Sequence, residues 1–242
     1  MGSFTTFVPA YFGSDSFLSV GKLAAELNMK KALILCGKSA IRHGELAQKL
    51  LKDASIQSVV FTDIQPEPTD QSIEKACTFA RQENGIDGII AIGGGSCMDT
   101  AKCVNVLLNN EGRLEDYASV GGNRPTAPGF PLVLIPTTAG SGAECTFSSI
   151  FISSNTGRKM SVRKLNCTLA SLAIVDPQLS RYMPDKLTVA TGIDALCHAF
   201  EAYTVPQTNP ISDALAKEAI SLIYKNLPQA LFAVKAGRPA AE

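Results

Sequence analysis

A chain of 242 residues with 45% hydrophobic side chains has room for one large or two modest domains and is too apolar for a disordered polypeptide. Its 22 basic and 22 acidic residues cancel, which argues against nucleic acid or an anionic membrane as partner and favours a small molecule. No apolar run approaches the roughly 18 residues of a bilayer span, Met1–Thr6 lacks a secretory pattern, and seven scattered cysteines without a CxxC pair suit core positions in a reducing cytoplasm.

Strand and helix patterns alternate along the chain. Lys31–Cys36 is a short apolar run stopped by Gly37, the pattern of a buried strand. Helical spacing follows over 39–53, with Ile41, Leu46, Leu50 and Leu51. Gln57–Phe61 reads as a second strand and Asp70–Gln82 as a helix, with Ile73, Ala76, Cys77 and Ala80 on one stripe. Gly88–Ile92 is a third strand, halted by three glycines, and Ser96–Asn109 a helix. Leu132–Ile135 is a fourth strand. Phe147–Ser153 and Lys159–Val162 read as short strands about a turn at Asn155-Thr156-Gly157, and Leu172–Val175 as another strand. Such alternation of near-continuous apolar strands with helices predicts an α/β fold with a parallel sheet covered on both faces. After Met183 the pattern turns helical, with Pro184–Tyr203 and Asn209–Tyr224 separated by Val205–Thr208. The expected domains are therefore 1–183, α/β, and 184–242, the beginning of an all-helical domain. Leu222, Ile223, Leu227, Leu231 and Phe232 give the last helix more apolar surface than two or three helices bury, so the sequence reads as interrupted.

Three segments carry chemistry. In Ile92-Gly93-Gly94-Gly95-Ser96-Cys97-Met98-Asp99 a strand ends, glycines follow and a helix begins. The segment is either a phosphate cradle, built from close backbone and a helix N-terminus, or an ordinary tight turn with Ser96 as cap. Pro136-Thr137-Thr138-Ala139-Gly140-Ser141-Gly142-Ala143-Glu144 also follows a strand, where parallel sheets bind ligands, or is simply a polar loop. In Gly192–Tyr203, Asp194 and His198 stand four apart on one helical face, as a metal-binding pair or as a common ion pair. Glu201 lies along the same stripe and reads as a solvated charge near the helix end.

Taken together, GGGSCMDTAK, PTTAGSGAE and GIDALCHAFEAY resemble the iron-containing (group III) alcohol dehydrogenases, in order and at comparable separations along nearly the whole chain. The resemblance implies a cofactor-binding first domain for NAD or NADP and a helical second domain for Fe²⁺ or Zn²⁺. It implies that Gly94, Gly95 and Ser96 cradle the pyrophosphate, that Asp99 sits beside the cofactor, that Thr137, Thr138 and Ser141 line it, and that Lys159 reaches its ribose. Asp194 and His198 match the first two metal ligands. No side chain is assigned as catalytic in itself: the metal, as Lewis acid, lowers the pKa of an alcohol oxygen, and a hydride passes between an alcohol or aldehyde substrate and the nicotinamide.

Two departures qualify the expectation. The family takes two further metal-binding histidines from later helices, whereas the one other histidine here is His43, in the first domain. Many members also carry an acidic residue after the first strand, where this chain has Gly37-Lys38, so NADP becomes admissible beside NAD. The main expectation is a metal-dependent alcohol dehydrogenase with an incomplete metal site. The alternatives are a non-catalytic nucleotide-binding or oligomer-forming remnant, and a glycerol dehydrogenase or dehydroquinate synthase relative. Oligomeric state stays open at this point; the resemblance admits a homodimer in which Phe4–Phe12 pairs as a strand with another subunit.

Overall fold

A computed structural model describes residues 8–118, 122–123, 125–206 and 209–236. In chain order the strands are β1 (Ala10–Phe12), β2 (Lys31–Cys36), β3 (Gln57–Phe61), β4 (Gly88–Gly93), β5 (Leu132–Pro136), β6 (Ser148–Ile152), β7 (Lys159–Arg163) and β8 (Leu172–Val175). The helices are α1 (Val20–Glu26), α2 (Ile41–Asp53), α3 (Asp70–Gln82), α4 (Gly95–Asn109), the single turn α5 (Leu165–Thr168), α6 (Asp185–Thr204) and α7 (Pro210–Lys235). These residues gather into two compact units. One holds Phe7–Thr137 and Ala143–Asp176; the other holds Thr138–Gly142 and the residues from Pro177 onward.

The first unit is an α/β layer structure around a six-stranded parallel sheet of order β1-β8-β5-β4-β2-β3. Its central strands are buried on both faces: Leu33, Ile34, Leu35, Ile89, Ile90, Ile92 and Leu132–Ile135 are all inaccessible to solvent. That burial is why they read as unbroken apolar runs. The chain runs outward from β2 to β3, returns to β4 on the other side of β2, and then proceeds through β5 to β8. The direction therefore reverses between β2 and β4, whose carboxyl ends lead into Gly37 and Gly93, the place where open parallel sheets bind ligands. Ala10–Phe12 extends this same chain's sheet by pairing with β8; Phe4–Phe7 of the expected intersubunit strand lies outside the described residues. β6 and β7 form a separate antiparallel hairpin turning at Gly157, whose φ of 66° glycine tolerates.

The expected elements are present, most with ends shifted by a residue or two. α3 has the expected bounds because Thr69 and Ser72 close a reciprocal capping box at its start. α7 instead continues past Tyr224 to Lys235, through Pro228. A ring at that position costs one backbone hydrogen bond and crowds the preceding turn, yet the helix persists on either side. The short α1 and α5 carried too few periodic positions to be anticipated.

α4 runs through the core, with Cys97, Met98 and Ala101–Leu107 all buried. Asn105 fastens it there. Its amide donates to the carbonyls of Phe130 and Cys167 (both 3.0 Å), and its oxygen accepts from the Phe130 N–H (2.8 Å). Five of the seven cysteines (Cys36, Cys77, Cys97, Cys103 and Cys167) are buried and none forms a disulfide; Cys145 and Cys197 are exposed.

In the second unit α6 and α7 pack closely. A β-carbon on Gly192 would stand 2.4 Å from a Leu227 methyl, so any larger residue there makes the Leu227 side chain shift. Several large apolar side chains remain exposed on the pair, among them Phe200, Leu215, Leu222 and Phe232. No helix is long and apolar enough to cross a membrane, among the described residues.

Asn105→Ala should destabilise the first unit by about 2 kcal/mol, since it leaves the buried Cys167 carbonyl and the part-buried carbonyl and N–H of Phe130 without these partners. Urea unfolding should show a lowered midpoint with an unchanged slope; an unaltered midpoint would refute this role for Asn105.

Candidate functional site

The glycine-rich turn is shaped by α4 pressing on the end of β4. A β-carbon on Gly93 would lie 2.6 Å from that of Cys97, so only glycine lets the helix start this close to the strand. Gly94, in extended backbone, is the N-cap, and no side chain caps the helix. Ser96 is therefore not the cap. It lies inside the first turn, and its Oγ accepts the N–H of Glu67 (3.2 Å). An α-helix begun in this way presents backbone N–H groups and a partial positive charge to an anion.

The hydroxyl-rich turn starts beside it. Pro136 is paired with Gly93 in the sheet, and the Thr137 N–H donates to the Gly93 carbonyl (3.0 Å). Gly93–Ser96 and Thr137 thus leave the sheet side by side at its carboxyl edge.

Two groups near this edge did not stand out in the sequence. Lys102 is fully buried. Its ammonium donates to the carbonyls of Ala143 (2.6 Å), Thr146 (2.8 Å) and Ser148 (2.8 Å) and to the Thr146 hydroxyl (3.1 Å). It fixes the segment that leads from the hydroxyl-rich turn into β6. Burial pulls its pKa down to about 8, against the raising effect of Asp99. Nothing in the local sequence marks it, since α4 also carries Asp99, Asn105 and Asn109, and a lysine among them reads as part of a polar face. The second group is Glu67, whose carboxylate pairs with Lys159 (2.6 Å), both side chains being largely exposed. Prolines on both sides, Pro66 and Pro68, already restricted its backbone.

Asp99 lies one turn along α4 from Ser96. Burial raises its carboxyl to about 6, offset in part by Lys102 and by the Ile150 N–H.

In the second unit Thr138–Gly142 packs on α6. A β-carbon on Gly140 would stand 2.7 Å from that of Thr191, so the turn meets the helix at Gly140, one turn before Asp194. Asp194 Oδ1 and His198 Nε2 are 3.8 Å apart and half exposed. One carboxylate oxygen and one imidazole nitrogen on a single face suit part of a site for divalent iron or zinc. No cluster of three or more potential metal ligands forms among the described residues. His43 belongs to the first unit, on α2, with its ring edge-on to Phe17.

This geometry has counterparts in known proteins. The family model for iron-containing alcohol dehydrogenase matches residues 9–177, and the model for the C-terminal part of the Fe-containing alcohol dehydrogenase family matches 188–237. The chain belongs to the iron-containing alcohol dehydrogenase family. It is 37% identical over 229 residues to the NAD-dependent methanol dehydrogenase of Bacillus methanolicus, an alignment covering 93% of this chain and 59% of that protein. Among solved structures, a 1,3-propanediol oxidoreductase superposes with a TM-score of 0.88 at 35% identity, over 96% of this chain and 60% of that one. A sulfoacetaldehyde reductase from Bifidobacterium kashiwanohense, solved in complex with NAD+, gives 0.87 at 30% identity, over 97% and 61%. The chain thus spans about three fifths of the length of these relatives.

The Asp99 carboxyl gives a checkable pH dependence. Its folded pKa, about 6, exceeds the ordinary 3.8, so its contribution to stability is present below about pH 4 and is lost as pH rises through 6. Between pH 4 and pH 7.5 the stability of Asp99→Asn should therefore shift relative to wild type by about 2–3 kcal/mol in the variant's favour. Parallel urea curves at the two pH values that keep a constant offset would refute it.

Proposed function

We propose that this chain provides the nucleotide-binding part, and part of the metal-binding part, of an oxidoreductase that moves a hydride between an alcohol/aldehyde pair and NAD or NADP. In this reading residues 1–183 serve the cofactor and 184–242 the metal. The observation that carries it is the Thr137 N–H bound to the Gly93 carbonyl, which sets both turns side by side at the start of α4. The N–H groups of the first helical turn and the Ser96 hydroxyl hold the pyrophosphate. Gly94 and Gly95 keep bulk away from it. Thr137, Thr138 and Ser141 line the nucleotide, Asp99 lies beside it and Lys159 reaches a ribose.

Asp194 and His198 offer one oxygen and one nitrogen to Fe²⁺ or Zn²⁺. Further donors come from outside the described pair, since such a site takes at least three protein ligands. When bound, the metal supplies Lewis acidity toward the alcohol oxygen, and the nicotinamide accepts or returns the hydride. The reading includes a small alcohol or aldehyde as substrate, a cytoplasmic setting and a homodimer.

A second reading, a nucleotide-binding chain without catalysis, is favoured by the way Asp194 and His198 face one another with no third donor among the described residues. One experiment separates the two. Titration of the 242-residue chain with NAD should show weak binding and, with Fe²⁺ or Zn²⁺ added, little or no alcohol oxidation. Robust metal-dependent turnover would overturn the expectation that the metal site is incomplete, and absence of nucleotide binding would overturn both readings. In a full-length form, Asp194→Ala should cost tenfold or more in metal affinity (about 1.4 kcal/mol per tenfold); unchanged metal content would remove Asp194 from the site.

Cofactor choice is open to direct manipulation at Gly37. Its φ is −72°, a conformation any residue adopts, and a β-carbon there would meet nothing nearer than Ile64 at 4.0 Å. Gly37→Asp should therefore fold normally and move the NAD-to-NADP affinity ratio about tenfold toward NAD, through ribose hydroxyls accepted and a 2′-phosphate repelled. An unchanged ratio would place the adenosine ribose elsewhere.

A further inference from the structure

Glu67 occupies an unexpected position for a negative charge. It sits in left-handed backbone (φ 49°) between β3 and α3. Its N–H is committed to Ser96 Oγ in the first turn of α4, and its carboxylate to the Lys159 ammonium on β7. One residue thus spans three separate segments.

The residues beside it are pinned to the β6–β7 hairpin. The Pro68 carbonyl accepts the Ile152 N–H (2.8 Å), Thr69 and Ile152 form a parallel bridge, and the Asp70 carboxylate accepts the Ser154 N–H (2.8 Å) and hydroxyl (2.5 Å). On the far side of the hairpin, Asn155 donates to Glu115. Neither Glu67 nor Lys159 therefore rides on an unanchored loop. Lys159 in turn holds the Glu67 carboxyl below the usual carboxylate range, chiefly through their hydrogen bond.

Resting on the reading that the start of α4 holds a phosphate group, we propose that Glu67 is a specificity-determining residue of that site. Its carboxylate neutralises Lys159 and thereby limits the negative charge the turn accepts, favouring a dinucleotide pyrophosphate over a nucleoside triphosphate. The carboxylate of a glutamate stays within a Debye length of its own backbone nitrogen, about 8–10 Å at ordinary salt. A phosphate at Ser96 therefore feels it. An incoming anion either draws Lys159 away from Glu67 or binds beside a charge pair of zero net sign. In both cases the affinity falls short of what Lys159 alone would give, and the shortfall grows with each negative charge on the ligand.

The test uses the 242-residue chain as wild type, Glu67→Gln, Lys159→Gln and the double variant, titrated with NAD and with ATP by calorimetry. Glu67→Gln retains the backbone N–H to Ser96, and melting temperatures check that all four proteins fold. Glu67→Gln should bind NAD about fivefold tighter, which is the scale of one exposed charge pair, and should gain more for ATP. Lys159→Gln should lose a similar factor, the double variant should return close to wild type, and the differences should shrink toward zero at 1 M salt, where the Debye length is about 3 Å. Wild-type binding with no gain in Glu67→Gln, or a gain that survives 1 M salt, overturns the role of Glu67 alone. No binding of NAD or ATP by any of the four proteins overturns the nucleotide reading and this inference with it.

Discussion

A single buried ammonium governs the carboxyl edge of the sheet. An amine charge without solvent is tolerable only where several acceptors converge on it, and Lys102 gathers three carbonyls and a hydroxyl from Ala143 to Ser148. Those acceptors are not free to point elsewhere, so the chain leaving the hydroxyl-rich turn has its course set before β6 begins. β6 then pairs with β7, and β7 delivers Lys159 to the start of α4. The chain of constraint runs from one core charge to the surface pair of Lys159 and Glu67. Ser149 reinforces it by donating from its hydroxyl to the Asp99 carbonyl (2.8 Å), tying α4 to the hairpin next to the acid whose pKa burial raises.

The sheet was legible in the sequence for a physical reason. Parallel strands buried on both faces cannot alternate polar and apolar residues, so β2, β4 and β5 stood out as uninterrupted runs. The turns after β4 and β5 were legible because glycine and threonine have few other uses at strand ends. What escaped were features that depend on three-dimensional company. Ser96 was open between a helix cap and a phosphate donor, and Gly94 takes the cap because α4 starts one residue earlier, at Gly95. Glu67 drew no reading, since nothing in the local pattern announces that Ser96 and Lys159 close around it. Lys102 was hidden differently: a charged residue in a helix suggests a wet face, and the carbonyls that replace water around it come from residues more than forty positions on.

In the helical unit the sequence was informative about chemistry and less so about extent. Asp194 and His198 do share a face of α6, as a spacing of four requires, and Gly192 was present in the same motif without its reason being visible. That reason is the approach of Leu227 on α7, whose side chain would have to shift to admit a β-carbon. The length of α7 was the poorest guide, because Pro228 argues locally for a stop while packing on both sides of it favours continuation.

The distribution of sulfur has a practical consequence. Cys36, Cys77, Cys97, Cys103 and Cys167 are sealed in the core, and burial lifts the thiols of Cys77 and Cys97 to about 12, far from the thiolate that alkylating reagents need. Cys145 and Cys197 lie at the surface. The protein therefore carries its own opening meter: Cys197 reacts in the folded state, Cys145 more slowly because partial burial and Glu144 raise its thiol pKa, and the five core thiols only when the α/β layer comes apart, so the rate at which the silent set is labelled follows excursions out of the native state.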